Sequence, residues 1–477
     1  MCISFVADNV RRFTDAEYAT DVWFHRTVGK GIVAYNPTMV LQKVQTTHSE
    51  ELNEEFQGQF LVRPEYHYWM DLRHMDDQMP QNRAQTSPED HPEGTNTQYG
   101  VGSVVILEMG QDKVLRPVAI RITMMKEDGS QAKRVFVRGE STNSAWIMAL
   151  LAAACSYTQT SVGISHIYAY HAQAANFQSQ FYNNLGPKHS LMEMLNPMTK
   201  FTMQFNTAVL ENSWATLGMM PYYNSGLGQF RSVMKGWNTM AEKIPYYKLL
   251  PSAILPEAGI AKSDFTDLLD WDKYPLMKFQ LACEEAARKF VSQYIHHLYR
   301  DDKSVLEDVQ LQNFFEAMQD PERGNVQATL SGRLSTIEDL DSFLLPYMYG
   351  TIVHGSARMK RYILAGSAIP NNIASFMSTE LVDRGPTAEY SMSSILTSLP
   401  DTATLAQQYQ FTTFFQATDN FASLLDDVGE RTAPYSCDAL NQIFQQLQAD
   451  VLEIYEEGYY AAEIGENHSK WPLNQEA

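Results

Sequence analysis

Residues 334–362 read LSTIEDLDSFLLPYMYGTIVHGSARMKRY, and this stretch decides the predicted fold. Apolar side chains recur in it at helical spacing, which predicts an α-helix over about 334–364. His354 lies in the apolar part of that helix, and Arg358 follows it one helical turn later. The pattern therefore predicts a buried helix that carries two polar, chemically active side chains.

A second histidine-bearing segment, SVGISHIYAYH (161–171), follows the very apolar stretch AWIMALLAAACS (145–156). Neutral imidazoles from two core helices suit a metal such as iron, zinc or copper. His166 and His171 are five residues apart, which on a regular helix separates their rings by about 140°, so joint ligation needs a helix bulge. A histidine on an apolar helix is also commonly a hydrogen-bonded core residue, and this alternative stays open.

The rest of the chain predicts a mainly α fold with a small antiparallel sheet near the N-terminus. Residues 101–138 alternate in polarity around an Asp128-Gly129 turn, whereas 277–300 and 436–463 have helical periodicity. Residues 73–98 are polar and contain three prolines, so we expect a long exposed loop. The predicted organisation is an N-terminal leader over 1–100 and a helical domain over 101–477.

Composition excludes several classes of protein. With 36 Lys+Arg against 56 Asp+Glu the formal net charge is −20, which argues against a nucleic-acid partner. The four cysteines show no CxxC spacing, and no phosphate loop, GxSxG elbow or HExxH motif occurs. No apolar core of signal-peptide length develops before Asp8, and no apolar run is long enough to span a bilayer. We therefore expect a cytoplasmic protein without an integral membrane segment. Nothing in the sequence predicts an oligomeric state.

Several stretches together resemble the lipoxygenase family, in the family's order. They are LRPVAIRI (115–122), AWIMALLAAACS followed by His166, LGPKHSLMEMLNP (185–197), WDKYPL (271–276), FVSQYIHHLYRDDKSVLEDVQLQNFF (290–315), 334–362, PNNIAS (370–375) and ILTSLPDTATLAQQ (395–408). The resemblance covers roughly residues 100–420. It implies a lipoxygenase catalytic domain built around long central helices, without the family's N-terminal β-sandwich.

The resemblance also implies a changed metal site. Family members hold non-haem iron with three histidines, an Asn, His or Ser, and a C-terminal isoleucine carboxylate. His166 and His354 match two of the histidines, whereas Ser161 stands at the place of the other, Arg358 at the place of the Asn ligand, and the chain ends in alanine. A guanidinium has no lone pair to donate, so Arg358 cannot ligate a metal.

Three functions remain open. The first is oxygenation of a polyunsaturated lipid or polyene in a long apolar cavity, with a metal held by His166, His354 and His171, and Ser161 as a weak further ligand. The second is a metal-free isomerase or cyclase on such a substrate, with His166, His354 and Arg358 as catalytic groups. Arg358 and Tyr170 are the expected substrate-binding residues in either case. The third is a non-catalytic lipid-binding relative.

Overall fold

The structure is a computed structural model. It describes residues 11–23, 41–73, 76–77, 80–82, 97–160, 173–199, 246–257, 275–324, 332–355, 375–400 and 438–463. The described part is mainly helical, with an antiparallel sheet in its N-terminal portion, which confirms the predicted fold class.

The sheet has five antiparallel strands in the order β1-β2-β5-β6-β7. The strands are β1 (Leu41–Lys43), β2 (His67–Leu72), β5 (Gly102–Met109), β6 (Leu115–Met125) and β7 (Gln131–Val137), while β3 (Gln81–Asn82) and β4 (Thr97–Gln98) pair separately. The last three strands of the sheet confirm the one predicted over 101–138. Gly129, at φ +80°, makes the expected turn between β6 and β7.

The sheet is larger than the sequence predicts, because β1 and β2 come from the leader. Trp69 in β2 lies opposite Ile106 in β5, so the hydrogen-bonded ladder crosses the predicted boundary at residue 100. Both faces of the sheet are covered. Trp69 packs into a core with Leu52 of helix α2 (Thr46–Glu55), whereas its neighbour Met70 packs into a core with the helix that begins at Asn143.

Of the segment 73–98 the structure describes only residues 73, 76–77, 80–82 and 97–98, and the exposed loop stays a prediction. The Asp76 carboxylate accepts a hydrogen bond at 2.7 Å from Arg121, whose side chain is fully buried in β6. The Arg121 Nε lies 3.1 Å from the Glu55 carboxylate of α2. A buried guanidinium is stable only with such charge partners. The bond between Arg121 and Asp76 therefore holds the start of the segment against the sheet. Residues 83–96 lie outside the described residues.

Helices make up most of the remaining described chain. Besides α2 they are α1 (Ala16–Val22), α3 (Asn143–Thr160), α4 (Gln173–Asn184), α5 (Ser190–Thr199), α6 (Pro251–Glu257), α7 (Pro275–Leu298), α8 (Asp302–Leu306), α9 (Val309–Gln319), α10 (Ile337–Gly355), α11 (Glu380–Arg384), α12 (Met392–Thr397) and α13 (Asp438–Glu463). The long helix α7 packs against both α10 and α13. The periodicity over 277–300, 334–364 and 436–463 thus corresponds, within the described residues, to the three helices α7, α10 and α13. Residues 356–364 of the predicted helix lie outside the described residues.

Helix α3 begins at Asn143, directly after Thr142. Thr142 accepts a hydrogen bond from the backbone N–H of Ala145 at 3.2 Å, which satisfies one of the free donors at the helix N-terminus. Every α3 residue from Ala145 to Thr160 is buried. None of the helices in the described ranges combines the length and the hydrophobicity that crossing a bilayer requires.

Candidate functional site

Helix α3 leads directly into the first histidine-bearing segment. Its rotation against the sheet is fixed by Ser156, whose hydroxyl donates to the backbone carbonyl of Val101 at 2.6 Å. In the following turn the Thr160 hydroxyl donates to the Ser156 carbonyl at 2.8 Å. Both hydroxyl groups are buried, so these bonds satisfy polar groups that burial would otherwise penalise.

Helix α10 carries the second histidine-bearing segment. The backbone of His354 lies in the last turn of this helix. Seven residues earlier, the Tyr347 ring stacks on Phe177 of α4, with ring centroids 4.0 Å apart and planes 11° from parallel. Since α4 begins two residues after His171, the helix that follows the first segment contacts the helix that carries the second.

The structure therefore describes the scaffold of the candidate site rather than its side chains. Ser161, His166, Tyr170, His171 and Arg358 lie outside the described residues, and so does the side chain of His354. Within the described ranges, no group of three or more His, Cys, Asp and Glu side chains is arranged to hold a metal ion. The metal and substrate-binding assignments thus stay predictions.

A hydrogen-bonded network that sequence reasoning missed joins three helices near this scaffold. The Asp308 carboxylate lies 3.0 Å from His189 Nε2 and accepts a bond from the Tyr299 hydroxyl at 2.7 Å. It also caps α9, by accepting the backbone N–H of Leu311 at 3.0 Å. His189 Nδ1 accepts the backbone N–H of Leu191, so a neutral His189 carries its proton on Nε2 and donates it to Asp308.

The network keeps Asp308 ionised. Burial acts to raise the pKa of this carboxyl, but the hydrogen bonds from His189, Leu311 and Tyr299 outweigh burial and lower the pKa to about 2. Burial, followed by the bond to Asp308, raises the pKa of Tyr299. The arrangement is structural, because it ties the start of α5 and the end of α7 to the start of α9. An Asp before the apolar run VQLQNFF is the only sequence signal for it.

We predict that Asp308→Asn lowers the free energy of unfolding by about 2 kcal/mol near neutral pH. The variant keeps the shape and the capping oxygen but lacks the charge that His189 and Tyr299 stabilise. Because the pKa of Asp308 falls from 3.8 to about 2 on folding, this stabilisation is present above pH 3.8 and is lost as the pH falls towards 2. Urea unfolding of both proteins over this range measures the difference, and a difference independent of pH would contradict the account.

The lipoxygenase family model matches residues 92–419 of the chain. Lipoxygenase 1, chloroplastic, of Tanacetum cinerariifolium is 24% identical over 221 residues, which are 44% of this chain and 24% of that protein. The probable linoleate 9S-lipoxygenase 5 of Solanum tuberosum is 24% identical over 293 residues, which are 58% of this chain and 33% of that protein. The matched parts thus span about a quarter to a third of these relatives.

Solved structures show the same fold. A fungal lipoxygenase from Fusarium graminearum superposes with a TM-score of 0.65 at 13% identity, covering 96% of this chain and 74% of that one. A lipoxygenase crystallised anaerobically with arachidonate superposes with a TM-score of 0.64 at 16% identity, covering 92% of this chain and 63% of that one. At such identities the likeness shows the fold alone. The family model, however, matches more than half of the residues of this chain. The chain therefore belongs to the lipoxygenase family.

Proposed function

We propose that the chain is a lipoxygenase-type oxidoreductase that adds dioxygen to a polyunsaturated fatty acid. The observation that carries the proposal is the family match over residues 92–419, which spans both histidine-bearing segments. The names of two similar proteins point to the same substrate class, since one is called a probable linoleate 9S-lipoxygenase and another was crystallised with arachidonate. The proposal includes the cytoplasmic location that the sequence predicts.

The donor atoms on the chain fit a non-haem iron in part. Three imidazoles, those of His166, His171 and His354, are ligands that suit iron and leave positions open for other groups. Ser161 offers a weak oxygen donor, whereas Arg358 offers none and repels a cation. We therefore assign the three histidines as the iron-holding residues of the proposal. When bound, the iron supplies the redox chemistry that removes a hydrogen atom from the substrate.

Other residues of the chain bind and position the substrate in this proposal. The apolar helices α3 and α10 exclude water, which favours binding of an acyl chain. The stack between Phe177 and Tyr347 holds α4 against α10. We assign Arg358 to the substrate carboxylate, because a guanidinium pairs with it through two parallel hydrogen bonds. Tyr170 is the second proposed substrate contact.

Oxygen uptake with linoleate tests this function. The proposal predicts consumption of dioxygen, formation of a conjugated hydroperoxide and no uptake with stearate, which has no double bonds. Treatment with an iron chelator should abolish the uptake, and adding back ferrous iron should restore it. Absence of uptake by the iron-loaded protein with every polyunsaturated fatty acid from 18 to 22 carbons would contradict the proposal.

The presence of Arg358 favours a second candidate function. A guanidinium four residues after His354 in the sequence supplies a fixed positive charge at the position where the family pattern has a metal ligand. Such a charge stabilises a developing anion, so His166, His354 and Arg358 could isomerise or cyclise a polyene without metal. Rearrangement of a polyene under anaerobic, metal-free conditions would support this candidate. A bound fatty acid without any turnover would indicate a lipid-binding protein.

We predict that Arg358→Asn separates the two functions. The variant introduces the residue type that the family uses as a ligand and removes a repelling charge, so under the oxygenase proposal its iron affinity should rise about tenfold or more. Under the metal-free alternative the same change removes a catalytic charge and abolishes turnover. Iron titration of both proteins gives the answer, with Arg358→Lys as the charge-preserving control. Loss of turnover alone does not separate the functions, because Arg358 is also the proposed contact of the substrate carboxylate.

A further inference from the structure

The loop that connects α2 to β2 presents large apolar side chains to solvent. Leu61 and Tyr66 are 61% and 57% exposed. Phe60 precedes Leu61 and His67 follows Tyr66, and the ring centroids of Phe60 and His67 lie 5.3 Å apart. Leu61 and Tyr66 are therefore close to each other in space. Together with the half-buried Phe60 and Pro64 they form a surface that we call the apolar tip.

The loop holds this shape through hydrogen bonds of its backbone. Asn53 Oδ1 accepts from the N–H of Val62 at 2.8 Å, and His67 Nδ1 accepts from the N–H of Arg63 at 2.8 Å. The Arg63 carbonyl accepts from the N–H groups of Tyr66 and His67, at 3.2 and 3.1 Å. The tip is thus displayed by an ordered loop, so binding through it does not first have to order the chain.

The charges around the tip favour a partner without net negative charge. Arg63 and Glu65 are both exposed within the loop, and their charges cancel. Glu50 and Glu54 are exposed on the adjoining helix α2, and the whole chain carries a formal net charge of −20. These carboxylates repel an anionic surface at low ionic strength.

The size and composition of the tip favour lipid over protein. Stable protein interfaces use about 20–30 residues a side, whereas the apolar tip has four residues between charged ones. A lipid surface needs no such complementary area, because its headgroups and acyl chains adapt to the side chains that enter them. Leucine and phenylalanine enter the boundary between headgroups and acyl chains, and a tyrosine hydroxyl stays at the headgroup level.

We propose that the apolar tip is a membrane-contact site, which inserts into a phospholipid surface without net charge. A few inserted side chains give weak and reversible binding, unlike a membrane-spanning helix. The contact places the chain on a surface where fatty acids partition. It requires neither turnover nor a bound metal, so it stands or fails separately from the proposed function.

Flotation of the full chain with phosphatidylcholine vesicles tests the proposal. We expect binding that rises with lipid concentration and that becomes weaker at low salt when phosphatidylserine replaces part of the lipid. Absence of binding at millimolar phosphatidylcholine, or binding that requires phosphatidylserine, would overturn the proposal. So would a dimer in gel filtration that Leu61→Ser dissociates, because the tip would then be a contact between two copies of the chain.

Two variants assign the binding to the tip. We expect Leu61→Ser and Tyr66→Ser each to lower the affinity for phosphatidylcholine vesicles about tenfold, since each removes apolar area that leaves water on insertion. Leu396→Ser is the matched control, because Leu396 on α12 is 54% exposed and is not part of the tip. All three side chains are exposed, so circular dichroism should show the wild-type fold. Unchanged affinity in either tip variant, or an equal loss in the control, would contradict the assignment.

Discussion

Replacing Gly324 with alanine is expected to lower the free energy of unfolding by about 2–4 kcal/mol. A Cβ at this position would lie 2.5 Å from both the Cα and the carbonyl oxygen of Met318, and backbone atoms in α9 cannot move aside as a flexible side chain does. The backbone of Gly324 is also held on both sides. Its N–H donates to the Ala317 carbonyl at 3.1 Å, and its carbonyl accepts from the Asn176 amide of α4 at 3.1 Å.

The matched control for this prediction is Gly186→Ala. A Cβ there would lie 3.2 Å from Gln310 Oε1, the far end of a flexible side chain that can shift. We therefore expect a loss below about 1 kcal/mol for the control. Urea unfolding of both variants measures the losses, and equal losses would show that the close approach of Gly324 to α9 does not limit stability.

Replacing His354 with alanine is expected to reduce linoleate-dependent oxygen uptake about 100-fold or more and to lower the iron content. The variant removes one of only three proposed nitrogen donors, and no other side chain in the proposed donor set replaces it. Loss of the His354 side chain at the end of α10 should leave the core around α7, α10 and α13 intact. The described packing of α10 is made by residues such as Tyr347 and Met348. Circular dichroism checks that the variant is folded.

His296→Ala is the control for His354→Ala. His296 is an exposed histidine on α7, so its removal should leave both iron content and oxygen uptake unchanged. Retention of full uptake by His354→Ala would remove this residue from the proposed site. An equal loss in both variants would point to a general effect of losing a histidine rather than a ligand.

Most of the fold was predictable, and the misses have physical reasons. The helices α7, α10 and α13 each lie within one long segment whose apolar residues recur at helical spacing. This periodicity is enough to predict them. β2, with the sequence HYWMDL, shows no alternation, because Trp69 and Met70 are buried on opposite faces of a sheet that is covered on both sides. The same double coverage explains why the leader was not predicted to join the sheet.

The candidate site is predicted from residue types and the resemblance alone, and its side chains lie outside the described residues. His166 and His354 stand out because an imidazole in an apolar segment is unusual, whereas spacing alone does not set which histidines share a metal. The network around Asp308 was not predictable, because His189 lies 119 residues away in the chain. No local pattern encodes a pairing over that separation.

Metal analysis of the purified chain tests the central claim most directly. After expression in iron-rich medium, the account predicts about one iron per chain, retained through gel filtration and removed by chelation, as three imidazole donors suggest. The content should fall in the His354→Ala variant. A chain that is folded and still contains no iron after this treatment would contradict the oxygenase proposal and leave the metal-free alternative.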